Sequence, residues 1–169
     1  MISNRKMNAV KRIAFVASDN NRKSLIEWSY YNQETLKDHE LIATGAMADI
    51  LEGTVGVPLT RLPEGAAAAN QQLAAMIKGQ KIDILLFFWD PVQPLQFENG
   101  VRALHDMAVT NNIIIACNLA TADFVLSSVL MGKNHSVPVL PGLTHTGKHN
   151  GYFNTGGSRR VMLKVNTIN

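Results

Sequence analysis

The sequence predicts an α/β domain built on a parallel sheet covered on both faces. Short β-rich runs alternate with longer segments of helical period, the pattern that strand–helix–strand units produce. One run, Ile82–Trp89, is apolar almost throughout, as a central parallel strand buried on both faces should be. The chain has 169 residues, 46% of them hydrophobic and 17% charged, which suits one globular domain and leaves little room for a second. A domain of this size buries roughly 70% of the surface its unfolded chain exposes, so it needs no metal or disulfide to hold together.

The elements follow in order. Strand one is Arg12–Ala17, and a helix runs from about Asn21 through Tyr31 with apolar Leu25 and Trp28. Asp19 or Asn20 is placed to cap that helix. Strand two, Glu40–Ala43, leads through Thr44-Gly45 into a helix ending near Gly53. Strand three, Val57–Arg61, leads through Pro63-Glu64-Gly65 into the helix Ala67–Lys78. After strand four, Pro91 and Pro94 force a loop, and a helix spans about Gly100 to Asn111. Strand five is Ile113–Asn118, and Ala120–Leu130 reads as a last helix. From Gly132 to Gly157 the composition of Gly, His, Asn, Thr and Pro predicts irregular structure, before an alternating run, Arg160–Val165, that suits an edge strand or an inter-subunit clasp. The expected division is a domain over residues 1–130 and an irregular basic extension over 131–169, packed on the same or a neighbouring subunit.

Charge is unevenly spread. The net +3 divides into −2 over residues 1–123, with 11 Lys/Arg against 13 Asp/Glu, and +5 over the acid-free remainder. That remainder, with Lys133, Lys148, Arg159, Arg160 and Lys164, suits docking on an acidic neighbour or contact with an anion. It lacks the basic–aromatic interleaving of a nucleic-acid arm, which ranks well behind. Cys117 is the single cysteine and lies in an apolar run, so it reads as a buried core thiol and forms no internal disulfide. The apolar stretch Ile13–Ala17 is too short for a signal-peptide core or a membrane span, and a cytoplasmic protein is expected. His39, His105, His135, His145 and His149 share no helix or strand register, so no metal site is expected. The segment Thr155–Arg160 could form a backbone anion nest, and a surface turn is its plainer reading.

Ligands of open parallel sheets bind beyond the carboxyl ends of the strands. Those ends carry Ser18-Asp19-Asn20, Thr44-Gly45-Ala46, Pro63-Glu64-Gly65, Asp90-Pro91 and Asn118–Thr121, so polar and glycine-bearing residues converge on one rim.

The runs Ile13–Asp19, Ala43-Thr44-Gly45, Lys81–Pro91 and Ala120–Phe124 together resemble the methylglyoxal synthase family, in order and spacing, over roughly residues 11–130. The resemblance implies a three-layer α/β/α domain with a five-stranded parallel sheet of order 3-2-1-4-5. It also implies a homohexamer, a small anionic ligand, no cofactor, and elimination of phosphate from dihydroxyacetone phosphate. Against the family pattern several positions differ. Asn70, before Gln71-Gln72, stands where the family has its aspartate base, and an amide cannot take a carbon-bound proton. Losing a positioned base costs about 10²–10⁴-fold in rate. Ala46 and Met47 follow Thr44-Gly45 where the family has two threonines in its phosphate cradle, and Glu64 before Gly65 replaces a serine. An inward carboxylate about 4 Å from a phosphate oxygen is worth about 4 kcal/mol of repulsion at intermediate dielectric. Ser18 and Phe97 align with family histidines, and Gly100 with an aspartate.

Asp19 and Asp90 keep family acidic positions, and Arg22 stands where the family has a phosphate-binding lysine. Each also has a structural reading: a helix cap for Asp19, a turn for Asp90 and a solvated helix position for Arg22. Asp123 is expected to bond backbone in the turn after strand five. The candidate site is thus Asp19, Asp90 and Asn70, with Ser18, Arg22, Thr44, Gly45, Glu64 and Gly65 as ligand contacts. Three functions follow: a binding protein with a degenerate catalytic site, an active synthase using a non-standard base, or a different enzyme built on Asp19, Glu64, Asp90 or Glu98.

Overall fold

The structure, a computed structural model, describes residues 3–90, 92 and 98–139, apart from the side chains of Glu98 and Asn99. In chain order the elements are β1 (Ser3–Met7), β2 (Arg12–Ala17), α1 (Asp19–Tyr31), α2 (Gln33–Leu36), β3 (Glu40–Thr44), α3 (Gly45–Val55), β4 (Thr60–Leu62), α4 (Ala66–Lys78), β5 (Ile84–Phe88), α5 (Glu98–Thr110), β6 (Ile114–Ala116), α6 (Leu119–Leu126) and β7 (His135–Val139).

Five strands form a parallel sheet of order β4-β3-β2-β5-β6, which is the expected order 3-2-1-4-5. Strand alternation sorts side chains to two faces. Ile13, Phe15, Ile84, Leu86 and Phe88 meet Leu25 and Trp28 of α1, Leu51 and Val55 of α3, and Ala122 of α6. On the opposite face Ala14, Leu85 and Phe87 meet Leu73 and Ile77 of α4 and Leu104 and Ala108 of α5. The two apolar layers make a three-layer α/β/α domain, and all of β5 is buried, as its composition predicts.

Several expectations are corrected. The segment after Gly132 is not irregular throughout: β7 pairs antiparallel with β1, in register from Ser3↔Val139 to Met7↔His135. This ribbon is tied to the amino ends of the parallel strands by charge. The Arg5 and Asp83 side chains are fully buried, and Arg5 Nη1 donates to Asp83 Oδ1 at 2.8 Å. Arg12 adds Nε and Nη2 donors, both at 2.9 Å, and its backbone N–H a third at 2.9 Å. Lys11 is buried too, with Nζ donating to the carbonyls of Asn8 and Lys133.

Cys117 is exposed rather than buried, because β6 ends at Ala116 and the chain is already turning toward the cap of α6. Asp123 does not bond backbone in its turn; its Oδ1 accepts from the buried Trp28 indole at 2.7 Å, and Asn118 caps α6 instead. Neither Asp19 nor Asn20 caps α1: Ser18 holds the cap position without a side-chain bond, and Asp19 is the first helical residue. The run Arg160–Val165, the segment Thr155–Arg160, His145, His149 and Phe97 lie outside the described residues. Among the described residues no helix is long and apolar enough to cross a membrane.

Candidate functional site

At the carboxyl ends of the strands a cleft of about 320 Å³ opens between the two helical layers. Ser18, Asp19, Arg22, Thr44, Glu64, Gly65, Asn70 and Asp90 line it, together with apolar Phe87, Trp89 and Val101. Four of the five strand ends that the sequence placed on one rim thus meet around one space. The fifth, Asn118–Thr121, does not reach it.

The ends of β2 and β5 are stitched together by the Ser18 N–H, which donates to the Phe88 carbonyl at 2.9 Å. Across the same junction Asn20 Nδ2 donates to Asp90 Oδ2 at 2.7 Å, and the Val92 N–H to Asp90 Oδ1 at 2.8 Å. Asp90 therefore shapes its turn as well as facing the cleft. The Asn20 amide first, and then the Val92 N–H, hold its carboxyl below the ordinary range, so it is a weak base. The sequence placed Asn20 on the rim and as a possible cap; its bond to Asp90 crosses between strands that sequence spacing cannot relate.

Asp19 is bound up in a different way. Its Oδ1 accepts from Arg22 Nη2 at 2.8 Å, one helical turn on, at the mouth of the cleft. The Arg22 Nε, buried within the site, has no partner among the described residues.

Helix α3 starts at Gly45 without a side-chain cap from Thr44 and without an acid in its first turn. Its leading N–H groups lack intrahelical partners and carry the positive end of the helix dipole. Glu64 folds inward over this point. A Cβ built on Gly45 would collide with Glu64 Oε1 and stand 3.1 Å from its Cδ. Gly65, with φ +87° and ψ 136°, gives the chain the sharp entry into α4 that sends Glu64 back across the cleft, a conformation that favours glycine.

Asn70 lies half-buried on α4 in the cleft wall. Its Nδ2 stands 2.9 Å from the point where a Cβ on Gly100 would lie, so this amide fills the space that a side chain at position 100 would need. The amide at position 70 and the glycine at position 100 thus fit one another.

Beside the cleft, Phe87, Trp89, Val101, Arg102, His105, Asp106 and Cys117 line a second cavity of about 470 Å³. Although Cys117 is exposed, desolvation by the surrounding protein pushes its thiol up, away from the thiolate form. Among the described residues no group of three His, Cys, Asp or Glu side chains is arranged to hold a metal.

No family model matches the chain. Methylglyoxal synthase of Coxiella burnetii (strain Dugway 5J108-111) is 44% identical over 126 residues, 75% of this chain and 88% of that one. Methylglyoxal synthase of Photorhabdus laumondii subsp. laumondii is 36% identical over 138 residues, 82% of this chain and 91% of that one. A crystal structure of methylglyoxal synthase from Elizabethkingia anophelis NUHP1 superposes with a TM-score of 0.76 at 36% identity, covering 88% of this chain and 97% of the other. With the sheet order, the placement of the cleft and this likeness over most of its length, the chain belongs to the methylglyoxal synthase family.

Proposed function

We propose that the protein uses its cleft to bind a small anionic ligand, phosphorylated or nucleotide-like, without the proton abstraction that methylglyoxal synthesis needs. One observation carries this reading: the side chain facing the cleft at position 70 is an amide packed against Gly100, not a carboxylate. Asp19 and Asp90, the retained acids, are engaged by Arg22 and by Asn20 with Val92, and these bonds make Asp90 a poor proton acceptor. Arg22 retains guanidinium N–H groups for an anion. The reading includes a homo-oligomer, a hexamer on the family's pattern, in the cytoplasm and without a cofactor. Exposed Phe124 and Val129, at 83% and 76%, support subunit contact on that side.

The test is phosphate release from dihydroxyacetone phosphate at high protein concentration. No turnover above background is expected from the wild type. Asn70→Asp combined with Glu64→Ser is expected to raise turnover by about 10²–10⁴-fold, the contribution of a positioned base. Turnover by the wild type at ordinary enzyme rates would overturn the reading. A thermal-shift panel of phosphates, nucleotides and carboxylates tests the binding half, and stabilisation by none of them counts against it.

A second reading, a different carboxylate-based enzyme in the same rim, draws on Glu64. Among the described residues this carboxylate makes no side-chain hydrogen bond or ion pair, and it lines the cleft. Under that reading Glu64→Gln abolishes any turnover the wild type has.

A further inference from the structure

We infer that Glu64 sets the ligand specificity of the cleft: its carboxylate lies over Gly45, the first residue of α3, and must move aside before a phosphate can bind there. The inference rests on the cleft being an anion-binding site, as proposed above, and it names the residue that controls entry.

Three observations converge. The Glu64 side chain reaches from the turn before α4 onto the first residue of α3, with Oε1 in the volume a Gly45 side chain would take and Cγ 3.8 Å from the same point. Helix α3 has neither a hydroxyl cap from Thr44 nor an acid in its own first turn, so its leading N–H groups draw an anion from outside the helix. The other two carboxylates of the cleft are committed elsewhere, Asp19 to Arg22 and Asp90 to Asn20 and Val92, leaving Glu64 as the acid at this helix end. A phosphate entering here meets the carboxylate both as bulk and as like charge. The repulsion grows with ligand charge, so a dianion is penalised more than a monoanion or a neutral polyol.

Titration calorimetry with inorganic phosphate at neutral pH tests this on the full chain. Glu64→Ser is expected to bind phosphate at least about tenfold more tightly than the wild type, a modest share of the like-charge repulsion. Glu64→Gln keeps the shape, removes the charge, and is expected to shift in the same direction; it also serves should the serine variant fold poorly. Glu34→Gln, which makes the same net-charge change at an exposed pair on α2, is expected to stay within about twofold of wild type. If the wild type binds phosphate and both Glu64 variants bind it equally well, the inference falls while the cleft remains an anion site. An equal gain from Glu34→Gln also overturns it, since net charge would then explain the effect. If no folded variant takes phosphate at all, the anion-site reading itself fails and the inference goes with it.

Discussion

Glu64 and Gly45 make a coupled pair. Gly45 needs no special backbone conformation, so alanine is barred only by the carboxylate above it. Because that neighbour is the end of a flexible side chain, Gly45→Ala is expected to stay within about 1 kcal/mol of wild type in urea unfolding, with the gain in helix propensity offsetting the displacement. In a Glu64→Ala background the same change should be more favourable, with a coupling of about 0.5–3 kcal/mol. Additive effects would place Glu64 away from Gly45. Ser18, Thr44, Glu64 and Asp90 were legible as residues of the rim because strand ends are legible, and Asn70, before Gln71-Gln72, drew notice through the family resemblance. The direction of Glu64 was not, since a loop has no periodicity to orient a side chain. Asp123 was misread for a related reason: its partner, Trp28, lies 95 residues away.

At the level of elements, the least legible piece was the β1–β7 ribbon. Ser3–Met7 has a single apolar residue, Met7, and its buried members are Met7 and Arg5, so it does not look like a strand with a core face. What makes it one is Asp83, which takes the Arg5 guanidinium and three donors of Arg12 at the foot of the sheet. Removing one partner from a buried ionic cluster strands the others. Asp83→Asn is therefore expected to lower stability by about 3–5 kcal/mol, measured from urea midpoints. A loss under about 1 kcal/mol would mean that water already compensates these charges. The parallel strands were legible because strand alternation and apolar runs encode two-sided burial directly. Arg12–Ala17 was read with its observed bounds, whereas Ile113–Asn118 was read too long against the observed Ile114–Ala116, because the apolar run extends beyond the ladder bonds at both ends.

For the molecule as a whole, stability should respond to pH through His39. Its Nδ1 accepts the Lys11 backbone N–H at 3.1 Å, which requires the neutral ring, and burial, with Lys11 adding to it, pushes its pKa below the usual histidine value. The unfolded chain then takes up the proton first. The stability His39 contributes is present above the unfolded value of about 6.5 and is lost as pH falls from there toward the lower folded value. Urea midpoints at pH 7 and pH 5 should drop more for the wild type than for His39→Gln, and equal drops would remove His39 from the account. The three-layer architecture was the most legible feature at this scale, since strand alternation sorts its two apolar layers and the matched runs carried the strand order. The ionic clamp on Asp83 sits at the foot of the sheet and the candidate cleft at its mouth. Mutations at the mouth can therefore accumulate with little penalty to folding, and a lineage can exchange one chemistry for another there while its architecture stays put.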